Sequence, residues 1–404
     1  MTSRNRLGRR EFIAASAGAL AAGLGSACAR VPVSEIEDAA AKVGPIPRRS
    51  YDRSHRQVSV LVGAADWAPE AVEAGILCGI NYWHRSHAWD SRVPPAILKN
   101  REAHYCEVCI DRVRGNHETG IIDEEADYRF IKQALERTGL RYFDDMMLHF
   151  GYHHTAELKE NRGFIRAFER LLKEGLVRHL CLSQHSYDGN SRVPGGEDRA
   201  VILTAVVADG VYEHAQFPFT FGDTPALNTF VSVAKSHGFG TTAMKTAAGT
   251  ARMQADSEFM GKFPPGTTPH HALARWLTTG TDLSAAVIRI NSLEQFVDTC
   301  SGAGKPLRAA DTRGIEVMTA YADREVCRLC NQCMRHCPEG LAIAEILRYE
   351  RYAVDYGDRE RARRLYAQLD KRGDACQACG DCLPHCPQGL DIPAKLAQAH
   401  QRLG

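Results

Sequence analysis

Two copies of one cysteine motif constrain this chain more than any other feature of its sequence. The copies read Cys327-x2-Cys330-x2-Cys333-x3-Cys337-Pro338 and Cys376-x2-Cys379-x2-Cys382-x3-Cys386-Pro387. The two-residue steps let a tight loop place three thiolates on one [4Fe–4S] cluster, and the longer step with its proline turns the fourth thiolate away. We therefore predict that residues 322–404 form a domain that binds two [4Fe–4S] clusters.

The motif has the spacing of bacterial ferredoxins, in which the fourth cysteine of a run binds the cluster of the other run. It predicts two crossed ligand sets, namely Cys327, Cys330, Cys333 and Cys386, and Cys337, Cys376, Cys379 and Cys382. Zinc sites use C-x2-C pairs without a third cysteine at the same step, and adjacent two-residue steps suit a cluster better than disulfides. Residues 343–369 repeat apolar positions at helical spacing, which predicts a helix-rich ferredoxin-type domain.

The N-terminal residues resemble an export signal. The stretch Arg9-Arg10-Glu11-Phe12-Ile13 resembles the twin-arginine signal of bacteria, and Ala27-Cys28-Ala29 fits an A-x-A cleavage site. We predict a twin-arginine signal over 1–29, a linker over 30–55 and a periplasmic location. The apolar run 12–27 is shorter than the roughly 20 residues that span a bilayer, so a membrane anchor requires that Cys28 be lipidated instead.

Between these ends, strand-like runs alternate with helix-like runs. The strand-like runs are 57–62, 80–83, 104–110, 145–150, 177–183, 211–218, 239–245 and 283–290. Such alternation indicates parallel strands, and the repeats over 56–305 fit a (β/α)8 TIM barrel of the α/β class, followed by a connecting segment over 306–321. The formal net charge of +1 gives no indication of a nucleic-acid partner.

The barrel region resembles the aldo/keto reductase family, in particular its bacterial branch with a twin-arginine signal and a C-terminal ferredoxin-type domain. The resemblance rests on the stretches 79–83, 131–149, 171–185, 243–245 and 292–296 and on Gln216. It implies an oxidoreductase that uses a nicotinamide cofactor, with a catalytic Asp, Tyr, Lys and His at the C-terminal ends of the strands.

Three of the four catalytic positions that the resemblance implies hold other residues. His84 stands at the Asp position, Trp89 at the Tyr position and Cys109 at the Lys position, whereas His149 matches. The indole N–H of a tryptophan is not a usable acid at neutral pH. His149 and His84 are therefore the catalytic candidates, and ordinary carbonyl reduction does not follow from the resemblance.

The nucleotide-binding positions of the family are better matched. Ser183 and Gln216 stand where the family holds the nicotinamide amide, and Gln184 replaces the usual Asn. Lys245 and Arg289 lie near the ends of the last two strands, where such barrels often hold phosphate. These five residues are candidate cofactor-binding residues, and NADP(H) is the candidate cofactor beside the two [4Fe–4S] clusters.

Further histidines fall near the predicted strand ends, namely His87, His153, His154, His185 and His214. Imidazoles move protons near neutral pH and bind transition metals, so the set predicts either a proton-handling or metal-binding mouth, or histidines that are packed one by one.

Two functions follow from these observations. One is an exported iron-sulfur oxidoreductase that moves electrons between the clusters and a site at the barrel mouth, with a redox protein or a small molecule as partner. The other is a non-catalytic electron carrier or docking module with a degenerate barrel, which a mouth filled by Trp83, Trp89 and Phe150 would favour.

Overall fold

The computed structural model describes residues 31–64, 67–84, 93–110, 123–149, 151–160, 162–185, 197–221, 225–247 and 249–404. The predicted export signal and Cys28 therefore lie outside the described residues, as do His87, Trp89 and Phe150. Within the described residues no helix is both long and apolar enough to span a membrane.

The segment predicted to be a linker is folded. Helix α1 (Val33–Val43) buries Ile36, Ala39, Ala40 and Val43 against the barrel helices, and strands β1 (Arg48–Ser50) and β2 (Gln57–Ser59) form an antiparallel hairpin. The spacing i, i+3, i+4, i+7 of these apolar residues is that of one helix face. The linker prediction over 30–55 was wrong, because this apolar face is buried in the core and β1 pairs with β2.

Eight parallel strands follow and close into a barrel in chain order, with the last strand beside the first. They are β3 (Leu61–Ala64), β4 (Tyr82–His84), β5 (Tyr105–Ile110), β6 (Phe143–Leu148), β7 (Val177–Ser183), β8 (His214–Pro218), β9 (Gly240–Met244) and β10 (Ala285–Ile288). The TIM barrel prediction is confirmed. The first predicted strand is divided between the hairpin and the barrel, because residues 57–59 pair with β1 and only residues 61–64 join the barrel.

Helices surround the strands and bury one face each. They are α2 (Pro69–Leu77), α3 (Pro95–Lys99), α4 (Glu124–Thr138), α5 (Glu157–Glu160), α6 (Gly163–Lys173), α7 (Arg199–Asp209), α8 (Pro225–Ser236), α9 (Thr250–Ala255), α10 (Ser257–Lys262), α11 (Pro269–Thr279) and α12 (Leu293–Cys300). Side-chain oxygens at several N-termini accept from free backbone amides, as Asp123 does at α4 and Thr268 at α11.

The hairpin closes the N-terminal end of the barrel. Tyr51, which follows β1, packs in one apolar cluster with Val58, Tyr82 and Ala285, and the last two residues begin β4 and β10. Side chains on alternate strand positions point into the barrel. The hairpin therefore adds side chains to the bottom of the barrel interior, and the C-terminal strand ends remain as the place for a site.

The C-terminal domain is helical. Helix α13 (Ala309–Glu325) packs on α11 and covers most of the segment predicted as a connection, and α14 (Ile343–Val354), α15 (Arg359–Ala367) and α16 (Ile392–Leu403) form a second core. The domain contacts the C-terminal side of β8 and β9. Arg328 Nη1 donates to Thr220 Oγ1 at 2.8 Å, and Arg252 Nε donates to Asp355 Oδ1 at 2.7 Å.

Candidate functional site

Two cavities in the C-terminal domain gather the eight motif cysteines in groups of four. The first is lined by Cys327, Cys330, Cys333 and Cys386, and the second by Cys337, Cys376, Cys379 and Cys382. Each measures about 330 Å³ with its opening to solvent included. These are the two crossed sets that the motif spacing predicts, so each cavity draws three thiols from one motif copy and one thiol from the other.

The loops around these cavities turn tightly, as the motif requires. Leu329, Asn331 and Ala378 have left-handed backbone angles, with φ of 57°, 64° and 52°. Such angles are uncommon outside glycine, and here they bring successive cysteines to one cavity. All described cysteines are free thiols, so the disulfide alternative is not met in the described part of the chain.

The donors in these cavities fit two [4Fe–4S] clusters. Burial raises the pKa of the Cys327 thiol to about 12, which keeps it protonated until a metal binds. A bound metal deprotonates a coordinating thiol outright. The backbone amides of Leu329 and Leu390 donate to the sulfurs of Cys327 and Cys386, both at 3.4 Å.

A third cavity lies between the barrel and the C-terminal domain, and we name it the interdomain cavity. The barrel contributes Pro218, Thr220, Phe221 and Lys245, and the C-terminal domain contributes Ala322, Val326, Cys327, Arg328, Leu329 and Arg351. It measures about 370 Å³ with its opening to solvent included. One thiol of the first cysteine set therefore lines the same space as a lysine at the C-terminal end of β9.

Two histidines lie behind this lysine. Lys245 Nζ is 3.3 Å from His185 Nδ1, and the rings of His185 and His149 meet edge to face with centroids 5.1 Å apart. Burial, together with the charge of Lys245, lowers the pKa of His185 well below its ordinary value. At neutral pH the imidazole of His185 is therefore uncharged and accepts a hydrogen bond from Lys245.

A second polar group fills the interior of the barrel, and we name it the lumen network. It comprises Arg56, Tyr82, His84, Glu107, Asp145 and His214. Arg56 Nη1 donates to Asp145 Oδ2 at 2.8 Å, and Asp145 Oδ1 is 2.9 Å from His214 Nε2. The Tyr82 hydroxyl lies 3.4 Å from His214 Nε2 and donates to Glu107 Oε2 at 3.0 Å, and the other Glu107 oxygen contacts His84 Nδ1.

The lumen network exists because polar residues occupy inward positions on neighbouring strands. Tyr82 and His84 alternate on β4, and His84 is in register with Glu107 on β5, which pairs with Asp145 on β6. Branched apolar residues dominate such positions in most TIM barrels. Burial alone would raise the pKa of Asp145, but the charges of Arg56 and His214 hold it well below its usual range.

The comparisons with known proteins address the two parts separately. Residues 319–387 match the family model described as a 4Fe-4S dicluster domain. The C-terminal domain is a 4Fe-4S dicluster domain. The matched span contains both cysteine motifs, so the two thiol-lined cavities of the dicluster domain belong to this family's cluster-binding region.

Solved structures similar to about two thirds of this chain include aldo-keto reductases. One from Bacillus halodurans, in its holo form, is 15% identical with a TM-score of 0.48, over 67% of this chain and 95% of that chain. Another from a Medee basin deep-sea metagenome library is 15% identical with a TM-score of 0.46, over 67% of this chain and 94% of that chain. The fold assignment does not depend on these similarities, because the closed barrel of eight parallel strands defines it. Curated proteins gave no match.

The two catalytic candidates both lie at C-terminal strand ends and are buried. His84 ends β4, where its Nε2 accepts from Gln216 Nε2 at 3.3 Å, whereas His149 directly follows β6 and contacts His185. The structure thus places His149 beside His185, which contacts Lys245, and His84 beside Glu107. The expectation that His214 lines the mouth was wrong, because His214 begins β8 and lies lower in the barrel interior.

The candidate nucleotide-binding residues are placed differently from one another. Ser183 Oγ is 3.9 Å from Met244 Sδ, and the Gln184 amide is engaged with the backbone of Tyr152 at 2.8 and 3.0 Å. Arg289 is exposed after β10. Of the five candidates, only Lys245 lines the interdomain cavity.

Sequence reasoning missed several residues of these groups. Arg56 precedes the barrel, Arg328 is a spacer residue of the first cysteine motif, and Arg351 lies between the two motif copies. A signal existed for Glu107, because Tyr105, Glu107 and Cys109 alternate on one face of β5. An acidic residue at an inward position of a buried strand needs a partner, which is a reason to search for one.

Proposed function

We propose that this protein is an iron-sulfur oxidoreductase whose substrate reacts in the interdomain cavity. The observation that carries the proposal is that Cys327 and Lys245 line one cavity. When bound, the clusters supply one-electron transfer. The barrel contributes binding groups and proton-handling groups at the same place.

The residues behind the cavity have distinct roles in this proposal. Lys245 presents an amine to the cavity and is oriented by the Nδ1 of His185 at 3.3 Å. His149 packs against His185 and fixes that ring. A positioned group of this kind supplies or accepts the proton that accompanies reduction of a substrate.

His84 serves a second role in the same reading. Because Gln216 donates to its Nε2, the His84 proton resides on Nδ1, which contacts Glu107. A histidine held between a carboxylate and an amide has a fixed tautomer and a fixed ring orientation. We assign His84 and Glu107 as a hydrogen-bonded pair that fixes the imidazole at the strand end, in place of the tetrad that the family resemblance implies.

A full-chain assay tests the proposal. The anaerobically reconstituted protein is reduced with dithionite, freed of reductant and mixed with carbonyl compounds, quinones, NAD+ and NADP+, while the cluster absorbance is followed. We expect at least one compound to reoxidise the clusters, and His185→Asn to slow that reaction at least tenfold. Reoxidation by ferricyanide should be unchanged in the variant, and the exposed histidine variant His237→Asn should behave as wild type.

A non-catalytic carrier is the second candidate. It is favoured because the side chains of Ser183, Gln184 and Gln216 contact other groups of the protein. If no compound of the panel reoxidises the clusters, or if His185→Asn changes none of the rates, the carrier reading replaces the enzyme. Its partner would then be a redox protein rather than a small molecule.

NADP(H) is proposed only as a candidate electron donor or acceptor. An anaerobic titration with NADPH and with NADH, in which binding heat and cluster absorbance are followed together, decides its role. Binding with bleaching supports nucleotide-dependent reduction of the clusters. The absence of binding at millimolar nucleotide removes NADP(H) from the proposal and leaves the oxidoreductase reading in place.

The cellular location is part of the proposal and rests on Arg9 and Arg10 at the start of the sequence. Export by the twin-arginine route carries folded proteins, which suits clusters that are inserted before export. Replacement of both arginines by lysine should retain the protein in the cytoplasm of a bacterial host. Growth with labelled fatty acid would show whether Cys28 is lipidated.

A further inference from the structure

The interdomain cavity is lined by three cationic residues and by no acidic residue. Lys245 comes from the barrel, and Arg328 and Arg351 come from the dicluster domain. Arg328 Nη2 contacts Asp323 at 2.8 Å, and Arg351 Nε lies 3.5 Å from Asp355. Among the described residues, no carboxylate forms an ion pair with Lys245.

The positive charge around the cavity affects the pKa of Lys245. Burial lowers the pKa of Lys245 well below its ordinary value, and the charges of Arg348 and Arg351 lower it further. A lysine in such surroundings gains a favourable interaction when an anion enters. An anionic ligand would offset this penalty on the charged form of the lysine.

Two geometric observations point to a ligand independently of that field. Lys245 has a left-handed backbone with φ of 56°, a strained conformation for a residue that is not glycine. The Arg328 side chain is only 6% exposed, and its Nε has no hydrogen-bond partner among the described residues. Strained backbone and unsatisfied buried donors both concentrate at binding sites.

Cluster neutralisation is the competing explanation for these cations. Arg351 Nη1 donates to the carbonyl oxygen of Cys327 at 3.3 Å, and four thiolates around a cluster carry negative charge. That explanation accounts for the two arginines of the dicluster domain. It does not account for Lys245, because this residue comes from the barrel, where its amine lies 3.3 Å from His185 Nδ1.

We propose that the interdomain cavity binds a small organic anion, through a carboxylate or phosphate group held by Lys245, Arg328 and Arg351. The inference rests on the proposed function and names the substrate class of the same site. The cavity of about 370 Å³ includes its opening to solvent, so we assign it one small anionic group and not a whole dinucleotide.

Calorimetry on the reconstituted full-length protein tests the inference under anaerobic conditions. The probes are inorganic phosphate, glycerol phosphate and pyruvate, together with the neutral compounds glycerol and pyruvamide. We expect saturable millimolar or tighter binding of at least one anion, no binding of its neutral counterpart, and weaker binding at higher salt. Phosphate compounds and pyruvate separate the two sources of negative charge.

Lys245→Gly is the decisive variant, because glycine accepts the left-handed backbone and removes the amine. It should weaken anion binding at least tenfold while iron content stays at the wild-type level. The control Lys235→Met removes an exposed lysine on α8 and should leave binding unchanged. The inference is overturned if neutral compounds bind as tightly as anions, or if Lys245→Gly binds anions as wild type does. It is also overturned if no anion binds at 10 mM, a concentration that corresponds to a binding free energy of roughly −2.7 kcal/mol.

The same experiments separate this inference from the proposed function. If an anion binds through Lys245 but no compound reoxidises the reduced clusters, the anion site stands and the oxidoreductase reading fails. If only neutral compounds reoxidise the clusters in a His185-dependent manner, the oxidoreductase reading stands and the anion site fails.

Discussion

The stability of the barrel should depend on one buried cation, Arg56. Its guanidinium donates to Asp52 Oδ2 at 2.9 Å and to Asp145 Oδ2 at 2.8 Å, and both carboxylate side chains are 0% exposed. Arg56→Met keeps apolar bulk and removes the charge, which leaves two carboxylates in the interior without this partner. Removing one member of a buried ion pair costs about 3–5 kcal/mol, so we expect the free energy of unfolding to fall by that amount.

Urea unfolding followed by tryptophan fluorescence measures this loss. All four tryptophans precede residue 277, so their fluorescence reports on the barrel and not on the dicluster domain. The double variant Arg56→Met/Asp145→Asn should recover part of the stability, because a neutral amide is cheaper to bury than an unpaired carboxylate. Arg53→Met, which removes an exposed arginine of the same hairpin, is the control and should cost about 1 kcal/mol or less.

The loss should also depend on pH. Burial by itself would raise the pKa of Asp145, but Arg56 and His214 hold it low. A carboxyl with a lowered folded pKa adds stability above its unfolded pKa, near 3.9, and that stability is lost as the pH falls through the folded pKa. The gap between wild type and Arg56→Met should therefore be fully present above about pH 4 and shrink as the pH falls below that value. The reasoning would be refuted if the free energy of unfolding of Arg56→Met lay within about 1 kcal/mol of wild type at pH 7. It would also be refuted if the difference between the two proteins increased as the pH was lowered.

Three further predictions concern the dicluster domain and the barrel thiols. Cys386→Ser and Cys337→Ser should each lose the iron of one cluster, and the cluster that is lost should differ between the two variants. Their electron paramagnetic resonance spectra should therefore differ. Identical residual spectra would contradict the crossed ligand sets. Asp355→Asn should weaken the contact with Arg252 by about 1–3 kcal/mol, seen as loss of cluster absorbance at lower urea while the tryptophan transition is unchanged. In the apo protein at pH 8, iodoacetamide should leave Cys106 unmodified, because burial raises the pKa of its thiol to about 12, and mass spectrometry of the peptides checks this.

The parts of the structure that the sequence predicts are those written in local or repeated patterns. The predicted strand 177–183 matches the structure at both ends, because a buried strand carries its own signal. The crossed cysteine sets were predictable for the same reason, because the motif occurs twice and its spacing assigns the fourth cysteine of each copy to the other set. Helix α1 also carries a local signal, because its apolar residues recur at helical spacing.

The lumen network was not predictable in this way. Arg56 and Asp145 are 89 positions apart, and nothing near either residue indicates the other. The same holds for the interdomain cavity, where Lys245 directly follows strand β9 and Arg328 lies within the first cysteine motif. Closure of the barrel and the position of the dicluster domain create both pairings, and neither is a property of a local segment.

The hairpin and the polar barrel interior are best understood as one structural unit. Asp145 on β6 is wholly buried, and the cation that makes this burial tolerable comes from Arg56 beside β2, outside the barrel strands. Buried charges persist in proteins only when they are paired and hydrogen-bonded. A barrel without the hairpin would therefore have to protonate Asp145, and the hydrogen bonds from Asp145 through His214 and Tyr82 to Glu107 would change with it. Because Glu107 contacts His84, the hairpin at the bottom of the barrel takes part in fixing the histidine at its top.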